Sequence, residues 1–410
     1  MAEKTVLIIA NSFPPSFNPR MGYLSKYIGE YGWNGIAVSL LKDYDTNSFG
    51  FLSGYIPCTY IFKEKQKKNI GQRIVHKVKK TLSFFFPTIS IKWGDGKKMN
   101  IHIEELLSKN TIDIILCSTS RFFPLENAHK IAKKYKIPWV ADLKDIYEQY
   151  IFADNIKNKL QKKINIIYRN RILKNANMVI TVSNKHVEIL SNYGINSRCI
   201  YNGADTDIFF PTKEHNFDIF KIVYTGRLFD PKVDRDISPI FSVIRQLSLN
   251  KDIDYKYFRI QFYTDFESQV IVNRLKDHFC IPEFVDCFDP VPAINIPNIL
   301  NKSSILTLFM SNKNTGILTT KLFEYLAVGR PILCIWSDED AVEDIINNSN
   351  SGLAAKNEDE IKSFIMSKYN EWLKTGYTNS YINLDYIKNF TRKYNAQQFV
   401  ELFNSILESK

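Results

Sequence analysis

Three short stretches bring together residues whose types and spacing could do chemistry. In TTKLFEYLAVGRPIL (319–333) a lone carboxylate, Glu324, sits in a brief helical pattern that opens on Thr319 and Thr320 and stops at Gly329 and Pro331. In KIVYTGRLFDPK (221–232) an apolar run ends at Gly226, Arg227 follows at once, and Lys232 comes shortly after. In IPWVADLKDIY (137–147) another apolar run ends on Asp142 and Asp145 around Lys144. A guanidinium and an ammonium beside a glycine suit phosphate oxygens, because they donate charge-assisted hydrogen bonds where the missing Cβ lets a ligand reach the backbone. A helix start adds free N–H groups that favour an anion; Thr319 and Thr320 are good caps, and Gly316 loosens the approach. Glu324 shares a helix face with Thr320 and Lys321, where a carboxylate can accept hydrogen bonds from sugar hydroxyls. Aspartates at a strand end can orient or deprotonate a hydroxyl, with Lys144 neutralising charge nearby. Each group also has a plain alternative: solvated loop charges for Arg227 and Lys232, an intrahelical Lys321–Glu324 pair, and a turn cap for Asp145.

Such residues need strands that end where they stand. Short β-branched runs alternate with longer helical patterns: TVLIIA (5–10), GIAVSLL (35–41), IDIILCS (112–118), IPWVADL (137–143) and ANMVITVS (176–183). Continuous apolar runs separated by helix-length segments predict a parallel sheet covered on both faces. The rhythm restarts after a polar interruption near PTKEHNFD (211–218), with FKIVYTG, YFRIQFY, SSILTLF and PILCI. The fold class is therefore α/β, two doubly wound Rossmann-like domains whose strand ends face a cleft. The expected division is 1–210, 211–390 and a closing helix within 391–410. That helix shows Phe399, Leu402, Phe403, Ile406 and Leu407 on one face.

The chain of 410 residues is 45% hydrophobic, enough for two separate cores. A formal charge of +11 favours an anionic partner: a nucleotide, a polyphosphate lipid, a membrane surface or a nucleic acid. Six scattered cysteines form no CxxC pair, which is the usage of a reducing compartment. The N-terminus MAEKTVLIIA lacks the features of a signal peptide, and no stretch reaches bilayer-spanning length, so the expectation is a cytosolic protein.

The stretches YTGRLFDPK, TTKLFEYLAVGRPIL and VITVSNKHVEILSNYGINSRCIYNGADTDIFFP (179–211) together resemble, in the correct order, the nucleotide-sugar-dependent glycosyltransferases of the GT-B fold, specifically retaining family 4 and its near relatives. The resemblance implies that Arg227 and Lys232 hold the donor diphosphate and that Glu324 binds the ribose. Many members carry a second glutamate eight positions earlier, on the donor sugar. Here that position is Gly316, and Lys321 is the residue able to compensate. Many members also place a histidine near the end of the strand that here reads Asp-Leu-Lys-Asp, so Asp142 and Asp145 are the acceptor-side candidates. The loop NSFPPSFNPRMGYLSKYIGEYGW (11–33) resembles the family loop that meets donor phosphate and acceptor, through Arg20 and Gly22.

Residues 63–80 hold eight Lys or Arg against one Glu, and Phe84, Phe85 and Phe86 follow. Lys67, Lys68, Arg73, Lys77, Lys79 and Lys80 with these aromatics form an expected face for anionic lipid; a solvated basic helix or a nucleic-acid patch are the alternatives. No metal site is expected. The Asp205 and Asp207 pair sits in the segment that resembles the interdomain linker, and the six histidines show no ligand spacing. The expected function is transfer of a sugar from a nucleoside diphosphate sugar, with no other cofactor, to a hydroxyl of a lipid-linked bacterial surface glycan. The enzyme would be peripheral on the inner face of the plasma membrane and would not bind nucleic acid. The alternatives are a nucleotide-sugar epimerase of the same fold and a non-catalytic nucleotide-sugar-binding subunit.

Overall fold

The computed structural model describes residues 4–41, 49–62, 95–119, 122–149, 156–212, 218–228, 236–310 and 316–409. The basic run 63–80, Phe84, Phe85, Phe86 and Lys232 lie outside the described residues. The chain divides into two compact units: Met1–Tyr201 with Arg392–Lys410, and Asn202–Thr391.

The first unit is built on seven parallel strands, β1 (Lys4–Ser12), β2 (Trp33–Leu41), β3 (Cys58–Phe62), β4 (Ile114–Ser118), β5 (Trp139–Leu143), β6 (Met178–Thr181) and β7 (Ser197–Cys199), in the order β3-β2-β1-β4-β5-β6-β7. Alternate residues of β1 feed two different cores. Val6 and Ile8 join a cluster with Met21, Leu24 and Phe403, while Leu7 and Ile9 join one with Met99, Ile103 and Leu125. A strand buried on both faces has no reason to alternate with polar residues, which is why these strands read as unbroken apolar runs. The closing helix Arg392–Glu408 buries Phe399, Leu402, Phe403 and Ile406 in the first of those clusters, so it belongs to this unit.

The second unit holds six parallel strands, β8 (Phe220–Thr225), β9 (Phe258–Tyr263), β10 (Val285–Phe288), β11 (Ile305–Phe309), β12 (Ile332–Ile335) and β13 (Gly352–Ala355), in the order β10-β9-β8-β11-β12-β13. Phe220, Ile222 and Tyr224 point into one core with Phe241, Phe258 and Phe262. Residues 202–210 fall in this unit rather than with the first domain as expected. The reason is local: the Ala204 N–H donates to the Phe390 carbonyl at 2.9 Å, and Ala204 bridges Thr391.

Candidate functional site

In each sheet the strand order reverses once, between β1 and β4 and between β8 and β11. Doubly wound sheets bind ligands outside the carboxyl ends of the strands at such points. Among the described residues, those singled out by sequence lie on strands, loops and helices at these two sheets.

In the second unit β8 runs into Gly226, whose φ of +110° is strained for any residue with a side chain. A Cβ there would lie 2.6 Å from Lys321 Cε and 2.9 Å from Lys321 Nζ, so the lysine lies directly across the glycine backbone. Lys321 Nζ also stands 5.4 Å from the centroid of the Tyr224 ring. Among the described residues Lys321 has neither an ion pair nor a hydrogen bond, and the Lys321–Glu324 pair is not formed. Three bonds fix the loop beneath it. Thr264 Oγ1 donates to the Gly226 carbonyl at 2.8 Å, Tyr224 Oη to the Arg227 carbonyl at 2.7 Å, and the Leu228 N–H to Ser268 Oγ at 2.9 Å. Arg227 extends from this loop, 79% exposed, with Nε 2.8 Å from Asp265 Oδ2.

The other side of the same reversal carries Gly316, buried at φ +74°, and the helix Thr320–Val328, whose N-cap residue Thr319 makes no side-chain capping bond. Leu322, Phe323, Tyr325 and Leu326 anchor that helix in the core, while Thr319, Thr320, Lys321 and Glu324 are half-buried on its outer side. Gly329 ends it with φ +78°, as the left-handed C-terminal position requires. Free N–H groups, a flexible ammonium and an exposed guanidinium thus gather around one glycine, which is an arrangement for binding an anion.

The first unit uses its charges differently. Arg20 stands in the first turn of the helix Pro19–Tyr27, and Asp142 in β5; both are buried, at 4% and 0% exposure. Arg20 Nε donates to Asp142 Oδ1 at 2.9 Å and to Oδ2 at 3.2 Å, and Nη2 lies 2.9 Å from Oδ1 in the ion pair. Its remaining donors reach the Tyr201 and Ile200 carbonyls at 2.9 Å, and the guanidinium lies 5.2 Å from the Phe399 ring centroid. Asp142 Oδ2 accepts from Ser118 Oγ at 2.7 Å. The donors of Arg20 thus tie elements of the first unit together. Gly22 is likewise a packed residue. It is buried in the helix, where a Cβ would meet Pro14 Cγ at 2.7 Å and Leu52 Cδ1 at 2.9 Å, so packing demands the glycine. Asp142 is the counter-charge of Arg20, whereas Asp145 is exposed. Lys144 hydrogen-bonds Asn18 Oδ1, the cap of the Pro19–Tyr27 helix, and burial pushes its ammonium down to about 8.

Sequence reasoning missed Ser118, Asn18 and the two carbonyl acceptors of Arg20. Ser118 ends an apolar run and was a detectable strand end. Nothing local pointed to the carbonyls. Asp205 proves to cap its own turn, its Oδ1 accepting the Asp207 N–H at 3.2 Å. Among the described residues no three His, Cys, Asp or Glu side chains converge as metal ligands.

Two doubly wound parallel sheets, of seven and six strands, are the architecture of the GT-B fold. The family model Glycosyltransferase Family 4 matches residues 59–208. No curated protein matches the chain. Among solved structures, sucrose-phosphate synthase from Thermosynechococcus elongatus superposes with a TM-score of 0.70 at 11% identity, covering 99% of this chain and 100% of that one. A glycosyltransferase from Rickettsia africae gives 0.65 at 16% identity over 100% of both chains. HepE of Anabaena, in complex with UDP and glucose, gives 0.63 at 14% identity over 98% of this chain and 100% of that one. These likenesses show the GT-B fold for the whole chain, and residues 59–208 are similar to Glycosyltransferase Family 4.

Proposed function

We propose that this protein is a glycosyltransferase. It takes a sugar from a nucleoside diphosphate sugar held on the second unit and passes it to a hydroxyl of a lipid-linked bacterial surface glycan, with retention of configuration. The observation that carries the reading is Lys321, unpaired among the described residues and laid across Gly226 at the strand reversal, with Arg227 and the start of the Thr320–Val328 helix beside it. A diphosphate brings two negative charges to such a site, and this reading meets them with Lys321, Arg227, helix N–H groups and Lys232 instead of a divalent ion. Glu324, on the outer side of the same helix, takes the ribose hydroxyls. Gly316 stands where many relatives carry a glutamate, so donor-sugar contacts fall to other groups. HepE, whose structure holds UDP and glucose, supports the donor class. Asp145, exposed at the end of β5, is the carboxylate that orients the acceptor hydroxyl.

The protein would work as a peripheral enzyme on the inner face of the plasma membrane, drawn to anionic lipid by the net charge of +11. Incubation with UDP-, GDP- and ADP-sugars, with and without a lipid-linked acceptor and with and without a chelator, tests the reading. Product that needs both donor and acceptor and survives chelation supports it. Epimerised nucleotide sugar formed without acceptor would replace it with the epimerase reading, and tight binding with no turnover would leave a binding subunit.

A further inference from the structure

The helix Ile156–Leu173 presents a second basic surface, one that the transfer reading does not use. From 156 to 174 the sequence holds seven Lys or Arg and no Asp or Glu. Its inner side is built into the unit. Arg169, 2% exposed, donates to Glu148 at 2.6 and 2.7 Å, Lys162 donates to the Glu148 carbonyl at 2.7 Å, and Ile172 and Leu173 are buried. Its outer side has a pattern of its own. Leu160, Lys163, Ile167, Arg171 and Lys174 follow one another at steps of three or four residues, so they form one stripe along the helix. All five are exposed, Leu160 at 46% and Ile167 at 58%. Among the described residues Lys163, Arg171 and Lys174 have no ion-pair partner.

Branched apolar side chains and unpaired cations on one stripe, with no acid in the helix, match the chemistry of an interface that is apolar inside and negative at its edge. We propose that this stripe binds anionic lipid headgroups, with Leu160 and Ile167 entering the headgroup–acyl boundary and Lys163, Arg171 and Lys174 pairing with lipid phosphates. The absence of acids argues for a fluid anionic surface over a folded protein partner, whose patches normally offer charges of both signs. The inference rests on the peripheral attachment proposed above and gives it a location. The basic run 63–80 remains a separate candidate for the same surface.

Each cation near an anionic surface is worth roughly a fivefold change in partitioning, so the variant Lys163→Gln, Arg171→Gln, Lys174→Gln should lower it about a hundredfold. The test is flotation of the full chain with vesicles of phosphatidylcholine alone or mixed equally with phosphatidylglycerol, at low and high salt. The wild type should float only with phosphatidylglycerol and lose binding as salt screens the charges. The triple variant should stay behind while keeping its thermal melt and its turnover on a soluble acceptor. Leu160→Ser with Ile167→Ser should also weaken flotation, by a route that salt does not mimic. Triple and apolar variants that both float like the wild type overturn the proposal. If only neutralising Lys67, Lys68, Lys77, Lys79 and Lys80 abolishes flotation, membrane attachment stands and this helix is excluded. A wild type that floats with neither vesicle overturns the helix and the attachment together. Loss of RNA binding, with lipid binding unchanged in the triple variant, would assign the stripe to nucleic acid and overturn it equally.

Discussion

The carboxyl ends of the two sheets carry similar residues and treat them in opposite ways. Beside β1, β4 and β5 the arginine is buried, its carboxylate is buried, and a serine and two carbonyls complete the set. Beside β8 and β11 the arginine is 79% exposed and the lysine is unpaired among the described residues. A buried charge must find all its partners inside the protein, because an unpaired one costs several kcal/mol. A charge at a strand end that lacks internal partners is instead available for a ligand. The first sheet thus spends its ion pair on holding the helix Pro19–Tyr27 to β5 and to the segment Ile200–Tyr201. The second leaves Lys321 without an ion pair among the described residues and Arg227 exposed beside Asp265, and the proposed donor site draws on that contrast. Charge type alone does not separate the two cases; burial and partner count do.

Removing the buried carboxylate should have the largest effect. Asp142→Asn leaves Arg20 without a counter-charge and should cost about 3–5 kcal/mol of stability, read from the urea midpoint. A variant with wild-type stability would show that Arg20 finds charge compensation elsewhere, and the contrast between the sheets would fail. Asp145→Asn should do the reverse. Being exposed, it should keep the urea midpoint within about 0.5 kcal/mol, while turnover falls by roughly 10²- to 10⁴-fold if the carboxylate orients the acceptor. Turnover equal to wild type would remove Asp145 from the chemistry.

Arg227→Ala should weaken UDP or GDP binding by about ten- to a hundredfold, since a charge-assisted contact is worth roughly 1.5–3 kcal/mol. Its ion pair with Asp265 is at the surface, so stability should hardly change. A calorimetric titration that shows unaltered affinity would make Arg227 a partner of Asp265 and nothing more.

The smallest effect concerns Lys144. Its folded pKa near 8 lies below the unfolded value of about 10.4. Between these values the unfolded chain binds more protons, so the Lys144 contribution makes stability rise with pH, by at most about 1.4 kcal/mol per unit. The wild-type slope minus the Lys144→Met slope should be positive in that window and vanish below it. A zero difference would place Lys144 in water.

Much of this was legible from the chain alone because it rests on local pattern. The unbroken runs TVLIIA and IDIILCS became β1 and β4, since strands buried on both faces need apolar residues at every position. The helix face of Phe399, Leu402, Phe403 and Ile406 is buried as its spacing required. The helix Thr320–Val328 starts after Thr319, whose side chain makes no capping bond, and stops at Gly329 as read. What could not be read is non-local. Arg20 and Asp142 are 122 residues apart, and no periodicity marks two charges that will meet in a core. For the same reason the packing of Gly22 against Pro14 and Leu52 could not be read. Lys321 stood between the two cases. Its helix position was clear, but only the fold shows that it lies on Gly226 instead of pairing with Glu324.

Lys321 is therefore where the account is most exposed to test. Titrating UDP, GDP and ADP into the wild type and into Lys321→Met, which keeps the apolar stem and drops the charge, measures whether the ammonium across Gly226 holds a diphosphate. At least one of these nucleotides should bind the wild type, and the variant should bind it about ten- to a hundredfold more weakly with an unchanged thermal melt. Equal affinity in the two proteins would mean that Lys321 faces no phosphate, and the donor site would have to be sought away from the β8–β11 reversal.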